Sequence, residues 1–133
     1  MSEIQVAISY GELLDKMAIL EIKYQRIADP AKRTNIEDEL ELLRTTWSRH
    51  PASHAALDEE RDALKAVNEA LWDIEDRIRL KERDAAFDAE FIELARSVYI
   101  RNDERAAIKR AINLQLGSRL VEEKSYQQYR ATD

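Results

Sequence analysis

The sequence predicts an all-α protein: an antiparallel bundle of four main helices plus a short C-terminal helix, with a short N-terminal extended segment. Only two Gly and two Pro occur among its 133 residues, while charged residues make up 36% and hydrophobic residues 44%. This balance is typical of long helices. Apolar residues also recur at helical spacing along most of the chain. Because no linker or internal repeat interrupts this pattern, we expect a single helical domain over residues 1–133.

The N-terminal part of the chain combines a strand pattern with a strongly apolar helix. Ile4, Val6 and Ile8 alternate with polar or small residues, which indicates a short strand. Because the sequence predicts no second strand, this one pairs with another copy of the chain or lies as an extended arm. Ser9 and Glu12 then have the spacing of a capping box. Two adjacent apolar stripes follow: Leu13, Met17, Leu20, Tyr24 and Ile27 form one, and Leu14, Ala18 and Ile22 form the other. A helix that is apolar over more than half of its circumference indicates a central position among several neighbours.

The second and third helices carry narrower stripes. Asp29 is the expected cap of the second helix and Pro30 its first residue, and Pro51 ends it. Its stripe, which suits a single partner, consists of Ile36, Leu40, Leu43 and Trp47. The third helix is predicted from about Ser53 to about Arg83. Its stripe has the heptad spacing of a coiled coil and consists of Leu57, Leu64, Val67, Leu71, Ile74 and Ile78.

The fourth helix is expected between Asp88, a suitable cap, and Gly117, a suitable residue for the turn after a helix. Ser118 then caps the predicted short C-terminal helix, which carries Leu120 and Val121. This arrangement completes the four main helices and the short fifth one.

Polar residues interrupt the apolar sector of the fourth helix. Asn102, Arg105 and Lys109 fall in the same sector as the helix's apolar residues. A buried cation without a partner is too costly to keep, so a buried Arg105 requires a carboxylate. We expect Glu21 to supply it, because Glu21 also lies among apolar neighbours, and Glu60 is the second choice.

Three interpretations of this sector are open. Asn102 or Asp103 caps a second helix, so that the chain kinks and the cations turn to solvent. Alternatively, a buried polar layer fixes the helix register or the geometry of a dimer. In the third interpretation, an open pocket receives a phosphate or carboxylate. The predicted binding residues are Glu21, Arg101, Asn102, Arg105 and Lys109, and no catalytic residue is assigned.

Other patterns give no site. The acidic face of the third helix, formed by Glu59, Asp62, Glu69, Asp73 and Asp76, resembles magnesium-binding pairs, but such a face opposite an apolar stripe is usually solvated. His50 and His54 are separated by Pro51 and suit a surface loop. Cysteine is absent, as are Gly-rich phosphate loops. We therefore expect no metal and no cofactor.

The composition of the chain also predicts where the protein is located and which partners it binds. No apolar run approaches the roughly 20 residues that span a bilayer, and the N-terminus has no signal-peptide pattern. The net charge of −6 argues against general nucleic-acid binding. We expect a cytoplasmic protein that contacts neither membrane nor nucleic acid.

Four segments, "SYGELLDKMAILEIKYQRI", "LWDIEDRIRLKE", "FIELARSVYIRNDERAAIKRAIN" and "LGSRLVEEKSYQQY", resemble a bacterial family of short helical proteins of unknown function. That resemblance implies no activity, cofactor or catalytic residue. The long apolar stripes and the unpaired strand predict a structural or regulatory module that self-associates as a homodimer or binds another protein. The alternative is a small-anion binding protein or enzyme, with a link to glycan assembly that the resemblance suggests.

Overall fold

The computed structural model describes residues 2–129, and all regular secondary structure within that range is helical. The helices are α1 (Tyr10–Arg26), α2 (Pro30–Ser48), α3 (Asp58–Arg83) and α4 (Ala89–Gln115), and a short 3₁₀ helix at Pro51–His54 precedes α3. The all-α prediction is confirmed, while the antiparallel arrangement stays a prediction. Among the described residues, no helix has the length and the apolar character needed to cross a membrane.

Helix α1 lies at the centre of the fold. It packs against α2, α3 and α4, whereas α2 contacts no helix of the described chain except α1 and the 3₁₀ helix. The two apolar stripes of α1 explain this position, because one helix must bury more surface than a single neighbour can cover. Its fully buried side chains include Leu14, Met17 and Ile22. The predicted central position of the first helix and the single helix partner of the second are both confirmed.

The N-terminal caps of α1, α2 and α4 follow the sequence, except that the predicted capping box of α1 is incomplete. Asp29 accepts a hydrogen bond from the Lys32 amide at 3.0 Å, and Asp88 accepts one from the Phe91 amide at 3.0 Å. The Ser9 hydroxyl accepts one from the Glu12 amide at 3.1 Å. The Glu12 carboxylate, however, does not complete the capping box. It accepts a hydrogen bond from a lysine of α4 instead, so a tertiary contact replaces a local one.

Helix α3 begins at Asp58, later than predicted, because the residues before it form the 3₁₀ helix. His50 starts that turn: its Nδ1 accepts a hydrogen bond from the Ala52 amide at 3.0 Å. The ring of His50 also lies edge-on to Tyr10, with centroids 5.3 Å apart. Leu64 and Leu71 are buried, but Ile78 is only half-buried, so the heptad stripe forms a core contact in its first part alone.

Helix α4 is continuous through Asn102 and Asp103, and the predicted kink is therefore wrong. The cations of this sector did not need to turn to solvent, because α1 supplies carboxylates opposite them. An uninterrupted helix keeps its backbone hydrogen bonds and still pairs its charges.

The predicted short C-terminal helix is absent from the described range, whereas the predicted N-terminal extended segment stays a prediction. Residues 2–9 form no strand, and Ile4 and Val6 are 90% and 72% exposed. Residues 118–129, hereafter the C-terminal segment, form no helix. The Ser118 hydroxyl donates to the Leu120 carbonyl at 2.6 Å instead of capping a helix. Exposed side chains dominate this segment, so it offers little apolar surface to stabilise a helix against the bundle.

Candidate functional site

Asp15 on α1 is a charged side chain with no exposure to solvent. It lies on the face that α1 turns toward α3 and α4, near Ala18 and Ile22. A carboxylate in such surroundings requires hydrogen bonds and a countercharge, because burial without them costs several kcal/mol. The structure provides both.

Arg105 of α4 grips this carboxylate with two nitrogens. Its Nε donates to both Asp15 oxygens at 3.0 Å, and its Nη2 donates to Oδ2 at 2.5 Å. Asn68 of α3 donates from Nδ2 to Oδ1 at 2.8 Å and also to the Leu64 carbonyl at 3.0 Å. The hydrogen bonds to Asp15 raise the pKa of the Arg105 guanidinium above its ordinary value, so Arg105 stays charged.

Lys109, one turn further along α4, extends the same cluster. Its Nζ donates to Glu12 Oε2 at 2.7 Å and lies 3.8 Å from Asp15 Oδ2. A third carboxylate, that of Glu122 in the C-terminal segment, lies 3.6 Å away. We call Glu12, Asp15, Asn68, Arg105 and Lys109 the Asp15 cluster. Its two cations face two carboxylates, so the cluster is neutral overall.

Gly11 sets the close approach of α1 to α4 beside this cluster. Its amide, one of the N-terminal amides that a helix leaves unpaired, donates to Asn113 Oδ1 at 2.7 Å. A Cβ atom on Gly11 would lie 2.5 Å from the Lys109 carbonyl oxygen. Only glycine therefore allows the two backbones to come this near, and that distance brings Lys109 within reach of Glu12.

A pocket of about 700 Å³ opens on the outer side of the cluster. Helix α4 forms one wall, including Asn102, Arg105 and Lys109, and the C-terminal segment forms the other. The remaining lining residues are mostly aromatic or polar: Val98, Tyr99, Asp103, Ala106, Glu122, Lys124, Tyr126, Gln127 and Tyr129. Three cations and three tyrosines thus surround one cavity. Arg105 and Asn102 also line a second depression, between α1 and α3, that contains Trp72.

Three of the five predicted binding residues, Asn102, Arg105 and Lys109, line this pocket together. Arg101 does not, since it lies on the exposed side of α4 and pairs with Glu104 at 3.0 Å. The predicted partnership of Glu21 with Arg105 is wrong. Glu21 pairs with Arg44 of α2 at 3.3 Å, because its side of α1 faces α2.

The sequence analysis did not identify Asp15, the carboxylate that pairs with Arg105. A signal was present: Gly11, Asp15, Ala18 and Ile22 recur at helical spacing on one face of the first helix. Asn68, between Leu64 and Leu71 on α3, was missed as well. No local pattern could have revealed that the C-terminal segment forms one wall of the pocket, because residues 122–129 have no regular secondary structure.

The acidic face of α3, which the sequence analysis compared with magnesium-binding pairs, forms ion pairs with a neighbouring helix. On the acidic face of α3, Asp73 and Glu69 pair with Arg26 of α1 at 2.6 and 3.7 Å. Arg26 also lies 5.8 Å from the centroid of the Trp72 ring. Within residues 2–129, no group of three or more Asp, Glu or His side chains is arranged to hold a metal ion.

Fold and site together define an all-helical protein with a buried ion-pair cluster beneath an open pocket. The chain belongs to DUF6165, a family of unknown function, whose model matches residues 4–133. No characterised protein and no solved structure matches the chain significantly. The resemblance to a family of unknown function is thereby confirmed, while the bacterial origin and the cytoplasmic location stay predictions.

Proposed function

We propose that the pocket binds a small molecule through an anionic group, and that Arg105 and Lys109 hold this group. One observation carries the proposal: both cations line an open pocket, and an ion pair with buried Asp15 holds the Arg105 side chain in position. An arginine held in place by a carboxylate keeps its orientation when the ligand arrives. Such preorganisation lowers the entropic cost of binding.

Both cations have hydrogen-bonding capacity left. Arg105 uses Nε and Nη2 on Asp15, while its Nη1 makes a single long contact, 3.5 Å from Asn102 Oδ1. Lys109 makes one short hydrogen bond, to Glu12, and its distances of 3.8 Å to Asp15 and 3.6 Å to Glu122 exceed hydrogen-bonding range. A phosphate or carboxylate oxygen between these two side chains would receive charge-assisted hydrogen bonds.

The rest of the pocket indicates that the ligand also carries a ring. Tyr99, Tyr126 and Tyr129 present aromatic surface beside the cations, and aromatic faces pack well against planar or cyclic groups. A volume of about 700 Å³ lies within the range of roughly 300–1,000 Å³ common for small-molecule sites. The ligand class that fits is therefore a cyclic molecule with a phosphate or carboxylate.

A thermal-shift series tests this proposal. Inorganic phosphate, citrate, sugar phosphates and nucleotides are each added to the purified protein. A ligand present at 100 times its Kd stabilises the folded state by about 2.7 kcal/mol, which raises the melting temperature measurably. Lys109→Met is expected to abolish the shift, whereas Arg101→Met, on the exposed side of the same helix, should keep it. If no anion raises the melting temperature at millimolar concentration, the proposal is wrong.

Self-association is a second candidate function, favoured by the N-terminal residues. Ile4, Val6 and Ile8 alternate along an exposed stretch, and a second copy of the chain would give such a stretch a partner for strand pairing. We propose a homodimer formed in this way. Light scattering at high micromolar concentration should show twice the monomer mass, and Val6→Lys should return the protein to a monomer. A wild-type monomer at that concentration would rule it out.

A further inference from the structure

The C-terminal segment is attached to α4 by polar and ring contacts. Glu123 pairs with Arg110 at 3.0 Å, and the ring of Tyr129 lies 5.1 Å from that of Tyr99. Residues 122–129 are exposed throughout and contain no helix or strand. Exposed ion pairs contribute little to stability, and segments with few buried apolar contacts open most easily. This wall of the pocket is therefore its weakest part.

Glu122 brings a carboxylate from this segment into the pocket. It lies 3.6 Å from Lys109 and 3.1 Å from Lys124. Lys124 and then Lys109 lower the pKa of the Glu122 carboxyl below its ordinary value, so it is negatively charged at neutral pH. About half of this side chain is exposed. The Glu122 carboxylate therefore already occupies the position beside Lys109 where the proposed ligand would place its anionic group.

The three carboxylates around Lys109 are not equivalent. Glu12 and Asp15 belong to α1 at the centre of the fold, and the contact with Glu12, at 2.7 Å, is short. The contact with Glu122 is longer, and it joins α4 to the weakest part of the structure. Of the three, Glu122 can leave Lys109 without disturbing the helices. It is the carboxylate that an incoming anion would replace.

We infer that Glu122 is an internal competitor for the anion site, and that ligand binding displaces its carboxylate from Lys109 while the rest of the C-terminal segment stays in place as a wall of the pocket. This inference rests on the proposed function. It adds that a carboxylate of the chain itself occupies the position beside Lys109, and that the affinity for a ligand is reduced by the fraction of molecules in which Glu122 is in place.

Calorimetric titration with inorganic phosphate tests the inference on two matched variants. Glu122→Gln removes the competing charge and keeps the size of the side chain, and Glu123→Gln makes the same change at the next residue, which does not line the pocket. If Glu122 is in place in roughly 70–90% of molecules, Glu122→Gln should bind phosphate about threefold to tenfold more tightly than wild type. Glu123→Gln should match wild type.

A second measurement follows the segment itself. The backbone amide NMR signals of residues 121–124 should shift when phosphate displaces Glu122 from Lys109 in wild type, and they should shift less in Glu122→Gln. Equal phosphate affinity of wild type and Glu122→Gln, or NMR signals of residues 121–124 that phosphate leaves unchanged in wild type, would overturn the inference and leave the proposed function standing. If neither wild type nor Glu122→Gln binds phosphate and none of the other anions raises the melting temperature, the proposed function falls with it.

Discussion

Replacing Arg105 with methionine should destabilise the protein strongly. Methionine fills a similar volume, so the main change is the loss of the charge that faces Asp15. Asp15 has no exposure to solvent and would keep only the Asn68 hydrogen bond and Lys109 at 3.8 Å. Breaking a buried ion pair in this way costs about 3–5 kcal/mol. Because Lys109 remains nearby, we expect the lower end, about 3 kcal/mol.

Urea unfolding followed by far-UV circular dichroism measures this loss directly, and thermal unfolding gives a second reading. For a domain of this size, about 3 kcal/mol corresponds to a drop in melting temperature of roughly 10 °C. Arg101→Met is the matched control, since it removes the same side chain from the exposed face of α4. Its pair with Glu104 is half-exposed and contributes at most about 0.5 kcal/mol.

The double variant Asp15→Leu/Arg105→Met removes both charges of the pair. A well-packed apolar pair often matches a buried ion pair in stability, so the double variant should recover to within about 1 kcal/mol of wild type. The reasoning is refuted if Arg105→Met costs no more than Arg101→Met, because Asp15 would then tolerate burial without its partner. It is also refuted if the double variant is less stable than Arg105→Met alone.

Three further predictions concern the surroundings of the Asp15 cluster. Gly11→Ala should lower the free energy of unfolding by about 1–3 kcal/mol in urea titration, because its Cβ would meet the Lys109 carbonyl. The control Gly117→Asn should be nearly neutral, because Gly117 has a φ of 65° and no neighbour within 4 Å. Asn113→Ala leaves the buried Gly11 amide without an acceptor and should cost about 1–3 kcal/mol in the same assay. The pKa of Glu122 is depressed in the folded state, so its contribution to holding the C-terminal segment is complete above its ordinary value and is lost as the pH falls through the depressed one. NMR amide shifts of residues 118–129 should therefore stay constant at neutral pH and change only in acid.

The helices could be predicted because their causes are local. Apolar spacing reports which side of a helix is buried, and the width of the stripe on α1 correctly predicted several neighbours. Capping residues such as Asp29 and Asp88 act on amides three positions away, so their effect is visible in sequence. The start of α3 was misplaced because His50 and Pro51 favour a 3₁₀ turn there.

Apolar periodicity alone could not predict the partner of Arg105, because that partner depends on which helix faces which. Both Glu21 and Asp15 interrupt apolar stripes of α1, and periodicity alone ranks them equally. Packing decides between them: the side with Glu21 faces α2, whereas the side with Asp15 faces α4. The small residues Gly11 and Ala18 on the Asp15 side mark where another helix can come close. That criterion would have favoured Asp15.

The energetics of the Asp15 cluster indicate a role other than stability. A buried ion pair costs so much desolvation that an apolar pair of similar size often stabilises a fold equally well. What the carboxylate adds is a fixed direction for Arg105, which lines the pocket and whose Nη1 makes only a long contact with Asn102 at 3.5 Å. The double variant Asp15→Leu/Arg105→Met separates the two roles, since it should fold like wild type yet fail to bind phosphate. Wild-type affinity in a stable double variant would place the anion site away from Arg105, and Lys109 and Lys124 would be its remaining cations.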